Sequence, residues 1–226
     1  MIKLQPWIKL PNLWIENHGL RAFRWSQGEG ANNLAALMAL TAISHHADAE
    51  SGIARLTYDT LSTSTTLSRA KLSAGLSILV DRHIIKRDPE GRSTYLMIGY
   101  NPKMGWAQFP AQGLYHNGAI EAFSNFHLRL PAELEALKLF FLFASRRDRK
   151  NNMAKIGYDK IEEYSGVAHN NIRRAISLLG ANGLVHIEHV PSGMYQYGVA
   201  SAYRLTHLNT RQHMGTSGRS TDFLES

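Results

Sequence analysis

Positions 169 to 177 read His169-Asn170-Asn171-Ile172-Arg173-Arg174-Ala175-Ile176-Ser177. Asparagine carries a donor and an acceptor side by side, and arginine carries a planar fork of donors. Both grip flat, two-point partners. The edge of a base pair is such a partner: Asn can bond adenine bidentately, and Arg guanine. That chemistry needs the side chains on one face, which a helix supplies. With Ile172 and Ile176 turned inward, a rotation of about 100° per residue sends Asn170, Arg173, Arg174 and Ser177 outward, with His169 and Asn171 at the flanks. A solvated polar helix face is the competing reading of the same pattern.

The surroundings of this stretch occur twice in the chain, at an offset of 100 residues. Ala54-Arg55-Leu56-Thr57-Tyr58-Asp59-Thr60-Leu61 returns as Ala154-Lys155-Ile156-Gly157-Tyr158-Asp159-Lys160-Ile161. From position 17 to 85 there are 12 identities in 69 pairs, where ordinary composition gives roughly four. The apolar positions carry more weight. Leu40/Phe140, Ile43/Phe143, Leu56/Ile156, Leu72/Ile172, Leu76/Ile176 and Leu79/Leu179 are large on both sides. A core constrains volume while a surface drifts, so the chain reads as two copies of one small fold.

Composition agrees. A chain of 226 residues accommodates two units of about 100. Net charge is +7 and the pI is near 9.7. Residues 1–100 hold 11 Lys+Arg against 8 Asp+Glu and the remainder 14 against 10, so both copies are basic. A basic pI favours polyanionic partners, though solubility alone explains it too. Cysteine is absent, which excludes disulfides and thiolate metal sites. The N-terminus lacks the apolar run of a signal peptide, and no stretch is long enough to span a bilayer. The expectation is a soluble, cytoplasmic protein.

The elements that would position the candidate residues are legible in outline. Leu34 to His46 has the three-to-four spacing of an amphipathic helix, with Asn32 or Asn33 as cap. Ile53–Leu56 is extended. Thr57 caps a second short helix, and the Ser/Thr run from Ser62 to Thr66 reads as a turn. Ser68 caps a third helix to about Arg82, with Leu72, Leu76 and Leu79 on one face. Two strands follow, around a turn at Asp88-Pro89-Glu90-Gly91. The second copy repeats the order: helices over Leu134–Arg146, Tyr158–Tyr164 and Ala168–Ala181, then strands on either side of Pro191-Ser192-Gly193.

Helix, short strand, helix, turn, helix, hairpin is the order of a winged helix-turn-helix. Thr57 to Ile98 resembles that DNA-binding superfamily, and Asp159 to Leu205 resembles it again. The resemblance implies a mainly α fold with small β-hairpins, built as two tandem winged-helix domains by internal duplication. The expected division is a first domain with an N-terminal extension (1–100), a connecting segment (101–116), a second domain (117–208) and a mobile tail (209–226). Tandem winged helices in one basic chain look like plasmid and phage replication initiators and like regulators carried on mobile elements.

The implied partner is double-stranded DNA. In the second copy, Asn170, Asn171, Arg173 and Arg174 would supply most base contacts, with His169 and Ser177 on the same DNA-binding face. In the first, the outward residues are Ala70, Ser73, Ala74 and Ser77, which read little. Ser68, Arg69 and Lys71 would sit on phosphates, which position without specifying; alternatively this face makes a homodimer. Arg87 and Arg92 flank the first hairpin tip and could reach a phosphate or minor groove, against the repulsion of Asp88 and Glu90. The tip Pro191-Ser192-Gly193-Met194-Tyr195 is uncharged. The basic run Arg146-Arg147-Asp148-Arg149-Lys150 is either a phosphate contact or a solvated helix end.

The expected function is sequence-specific DNA binding by a transcription regulator. A replication initiator binding origin repeats, or a protein-interaction module, are the alternatives. Nothing calls for a cofactor or a metal. His45 and His46 are adjacent, and His186 and His189 lie three apart on a predicted strand, so neither pair shares a face. Gly28-Glu29-Gly30 lacks the Lys-Ser/Thr of a phosphate-binding loop. No nucleophile–base pair has a recognisable setting, so an enzyme is not expected. Trp7, Trp14, Trp25 and Trp106 precede the two repeat cores and fit packing or inter-copy contact.

Overall fold

The computed structural model describes residues 4–26, 28–88, 93–191 and 199–208. The first run of elements is β1 (Trp7–Pro11), the single-turn α1 (Leu13–Glu16), a 3-10 turn over Gly19–Ala22, α2 (Gly30–His45), β2 (Ile53–Arg55), α3 (Tyr58–Thr65), α4 (Arg69–Asp81), β3 (Ile85–Arg87) and β4 (Thr94–Met97). The second run is β5 (Trp106–Pro110), the short strands β6 (Tyr115–His116) and β7 (Ala119–Ile120), a 3-10 turn over Glu121–Asn125, α5 (Pro131–Arg146), β8 (Met153–Lys155), α6 (Tyr158–Ser165), α7 (His169–Ala181), β9 (Val185–Pro191) and β10 (Val199–Leu205). The fold is mixed α/β, with seven α-helices and small antiparallel sheets among the described residues. None of these helices is long and apolar enough to cross a membrane.

The repeat extends to single hydrogen bonds. Asp48 accepts from the backbone N–H groups of Glu50 and Ser51, and Asp148 from those of Lys150 and Asn151. Thr65 and Ser165 each donate to the carbonyl four residues back and accept from the N–H two residues ahead. Thr66 and Gly166 share the left-handed conformation, as do His83 and Gly183. In each copy a three-stranded sheet places the strand before the second helix beside the last strand, in the orders β2-β4-β3 and β8-β10-β9.

Three local expectations differ from the fold. Ser62–Thr65 continue α3 instead of turning: the Thr65 hydroxyl donates back to the Leu61 carbonyl and the Ser62 hydroxyl to the Leu67 carbonyl just past the helix, so neither competes for the helical backbone bonds. The turn falls on Thr66 alone. Asn32 and Asn33 lie inside the first turn of α2, with Glu29 at its N-cap; Asn33 instead donates to the Arg24 carbonyl. Gly30 opens that helix because a Cβ there would lie 2.4 Å from the Trp25 ring. The caps at Thr57 and Ser68 are as expected, each hydroxyl accepting from a backbone N–H three residues on.

The third difference is larger. α2 reads as amphipathic, yet Asn33 through His45 are all buried. α5 is nearly as enclosed, with Ala136 through Ala144 buried. Each packs on its own third helix and both pack on each other, and β1 and β5 cover the remaining sides of α2 and α5 respectively. A helix so enclosed belongs to the centre of a larger core. Gly75 of α4 permits the closest crossing: a Cβ there would meet the Ala36 backbone nitrogen at 2.8 Å. One buried cluster runs through both copies, from Ile8 to Leu208.

β1 and β5 make the two copies one body. They pair antiparallel with Lys9 opposite Gln108, Trp7 opposite Pro110 and Pro11 opposite Trp106, a register symmetric about its centre. Ile8, Leu10, Ala107 and Phe109 face the core, while Trp7 and Trp106 stack at 5.9 Å on the other face. The segments that follow are exchanged. In the first copy's leader, Arg21 donates to the Glu163 carbonyl of α6 and His18 stacks on Tyr164 at 4.7 Å. In the second copy's leader, β7 packs on α3, and the Phe123 carbonyl accepts from Thr66. Trp14 meets Phe141 edge-on at 5.9 Å. Residues 106–110 of the expected connecting segment are therefore a core strand.

Candidate nucleic-acid interface

α7 is held by its apolar stripe. Ile172, Ala175, Ile176 and Leu179 are buried against α5, as the 3.6-residue period requires. Gly166 ends α6 in the left-handed conformation, and Gly183 in the same conformation follows the end of α7. His169, Asn170, Arg173, Arg174 and Ser177 are exposed and Asn171 is half-buried.

These six residues are not equivalent. Glu135, on α5 and only 15% exposed, accepts from Asn171 Nδ2 at 2.7 Å and pairs with Arg174 Nη2 at 3.5 Å. Asn171 and Arg174 are thus tied to the protein's own carboxylate, an arrangement the outward projection alone does not anticipate. His169 lies 3.7 Å from Asp159 and edge-on to Tyr158. Ser177 donates to the Arg173 carbonyl, leaving its oxygen as an acceptor. Asn170 and Arg173 make no side-chain hydrogen bond or ion pair among the described residues. They are the two groups whose donors and acceptors stand free.

α4 is built alike, with Leu72, Gly75, Leu76 and Leu79 buried. Its exposed positions Arg69, Ala70, Ser73 and Ser77 match His169, Asn170, Arg173 and Ser177 one for one. Ser68 is spent on its cap to Lys71 N–H. Lys71 Nζ donates to Asn32 at 2.9 Å. Arg69 pairs with Asp59 at 2.6 Å, but these side chains are 71% and 79% exposed, so a phosphate can compete for the guanidinium at little cost. Ser77 donates to the Ser73 carbonyl, repeating the bond of α7. Arg87, at the end of β3, is exposed. Arg92, the rest of the first hairpin tip (Pro89, Glu90, Gly91), the second tip Ser192–Tyr195 and the tail 209–226 lie outside the described residues.

The dense basic run has a structural assignment. Arg146 pairs with Glu16 at 2.7 Å and lies 4.0 Å above the Tyr164 ring. Arg147 is buried and donates to Gln108 Oε1 and to the Asp148 carbonyl. Arg149 covers Trp106 at 4.6 Å. Three of its four cations thus lock the second copy onto the β1–β5 pair and the first copy's leader.

The carboxylates Asp59, Asp159 and Glu135 are the residues that sequence reasoning missed. Asp59 and Asp159 carried a signal: they are identical at the repeat offset, and each faces the first residue of the following third helix. Among the described residues no group of three or more His, Asp or Glu is placed to hold a metal ion. Comparison with protein-family models, curated proteins and solved structures finds no match.

Proposed function

We propose that the chain is a sequence-specific binder of double-stranded DNA, built as two tandem winged-helix units and acting as a transcription regulator of a plasmid, phage or other mobile element. The observation that carries this reading is the pair Asn170 and Arg173. Both are exposed on the face of α7 opposite its buried stripe, and neither side chain has a hydrogen-bond or ion-pair partner among the described residues. One turn apart on a helix, they match the donor and acceptor patterns of neighbouring base pairs in a major groove that admits a helix.

The two copies divide the work. α7 supplies base contacts through Asn170 and Arg173, with His169 and Ser177 beside them. Asn171 and Arg174 are held against Glu135 and serve to orient the helix. α4 presents small residues and an exchangeable Arg69, which suits phosphate contact. In this reading the protein is a binder and not a catalyst, needs no cofactor, and works in the cytoplasm where its DNA resides. A replication initiator would use the same surface. A bound site overlapping a promoter distinguishes a regulator from an initiator, whose sites are repeats beside an origin.

Selection from a random duplex library, followed by anisotropy titration across salt concentrations, tests the proposal. Enrichment of one motif, with an affinity that falls steeply with salt, is the expected result. Equal retention of all duplexes, or no binding at low salt, overturns it.

A further inference from the structure

The duplication supplies an internal control for one cleft. Beside Trp7, between β1, the end of α2 and β2, lies a cleft of about 540 Å³. Its walls include Trp7, Lys9, His46, Ala49, Arg55 and Tyr100. The equivalent place in the second copy is filled by the protein itself. There Arg149 covers the indole of Trp106 and Arg147 donates to Gln108. The first copy has Ala47 and Ala49 at the two arginine positions, offset by 100 residues, and Lys9 at the strand position of Gln108.

The exchange changes more than volume. Gln108 offers an acceptor to a cation that belongs to the chain. Lys9 offers only donors, its ammonium 5.6 Å from the centre of the Trp106 ring, and Arg55 stands as a second cation on the wall near Asp48. The one carboxylate among the lining residues, Asp48, stays ionised, held by the N–H groups of Glu50 and Ser51, the Ser51 hydroxyl and the nearby Arg55, so a bound anion must sit on the Lys9 side of the cleft. Trp7 rests one face on Trp106 and is 38% exposed. Neither ring nitrogen of His46 has a hydrogen-bond partner among the described residues. The first copy thus keeps the aromatic floor, lacks the two arginines that fill the place in the second, and carries Lys9 and Arg55 on its wall.

We propose that this cleft binds a planar aromatic anion, with its ring laid on Trp7 and its acidic group held by Lys9. The size falls within the range of small-molecule sites, roughly 300–1,000 Å³. A ring carrying a carboxylate and a nucleobase carrying a phosphate share the required chemistry. The proposal is independent of the DNA reading, because α4 and α7 contribute nothing to the cleft.

The test is calorimetric titration of the full chain with two sets of probes: benzoate and indole-3-acetate as aromatic carboxylates, and the four common nucleoside 5′-monophosphates. Arginine amide serves as a cationic control. Binding by a member of one set identifies the source of the acid group. Lys9→Gln, which installs the second copy's residue, should weaken that binding by about tenfold or more. Ala49→Arg should abolish it while thermal unfolding stays at the wild-type temperature, since the second copy carries Arg in the same setting. Failure of every anionic probe, binding of arginine amide alone, or anion binding that survives both substitutions overturns the proposal.

Discussion

The carboxylate of Glu135, on α5, accepts a hydrogen bond from Asn171, on α7, at 2.7 Å. The same carboxylate reaches Arg174, so one acidic residue ties down two side chains at the edge of the helix whose outer face is the candidate reading surface. It also lowers that surface's positive potential.

Glu135→Gln should therefore strengthen non-specific DNA binding. The substitution keeps the size of the side chain, removes a negative charge beside α7 and frees Arg174 for phosphate. Affinity for random duplex should rise several-fold at low salt, and the slope of log K against log salt should steepen by up to about one. Fluorescence anisotropy over a salt series reads both, and an unchanged slope would show that Arg174 stays away from DNA.

Arg173→Ala and Arg69→Ala should fail in different ways. Arg173 has no side-chain partner among the described residues and lies on the candidate reading face, so its loss should cost roughly 1–3 kcal/mol on the selected site and relax preference at one base pair. Among the described residues Arg69 is held by one exposed ion pair, to Asp59. Its loss should weaken all sequences alike and flatten the salt slope by about one. Competition assays with single-base variants of the selected site separate the two patterns.

His45 should make stability fall with acid. Complete burial, reinforced by neighbouring His46, pulls its pKa from 6.5 down to about 3. Between those values the unfolded chain holds a proton that the folded chain does not, so stability drops as pH falls through that window. Urea denaturation at pH 7 and pH 5 should differ by roughly 2 kcal/mol from this group. His45→Gln should remove most of that difference, and an equal slope in the variant would locate the effect elsewhere.

Neither half should fold alone. The core is continuous through both copies, and β1 has its partner strand in the second. Fragments 1–100 and 101–226 should lack cooperative melting when expressed singly, while the whole chain should show one transition with coincident probes. Calorimetry on the three polypeptides decides the matter. A fragment with its own sharp transition would mean that the interface is dispensable.

Local pattern carried much of this fold. The buried stripes of α4 and α7, the caps at Thr57 and Ser68 and the offset of 100 residues are consequences of neighbours along the chain, which periodicity and capping chemistry report. The pairing of Trp7–Pro11 with Trp106–Pro110 is not local. Both strands read Trp-x-x-x-Pro, which marks them as counterparts in the repeat, but nothing along the chain says that such counterparts pair with each other. That missing link also hid the all-round burial of α2, because the faces that its own repeat leaves open are covered by α5 and β1. Glu135 was illegible for a similar reason: a glutamate on a polar helix stripe reads as solvated until the helix beside it is placed. Arg147 and Arg149 read as a basic patch because their acceptor and aromatic floor, Gln108 and Trp106, arrive from elsewhere in the chain.

The symmetric joint at Lys9 and Gln108 has an evolutionary consequence. In an assembly of two identical chains every mutation lands on both sides, so a change that sharpens one side is forced on the other. Covalent fusion lifts that constraint while retaining the geometry of the pair. Each half of a single chain can change without the other, and Ala70 and Ser73 on one helix already differ from Asn170 and Arg173 at the same positions of its counterpart.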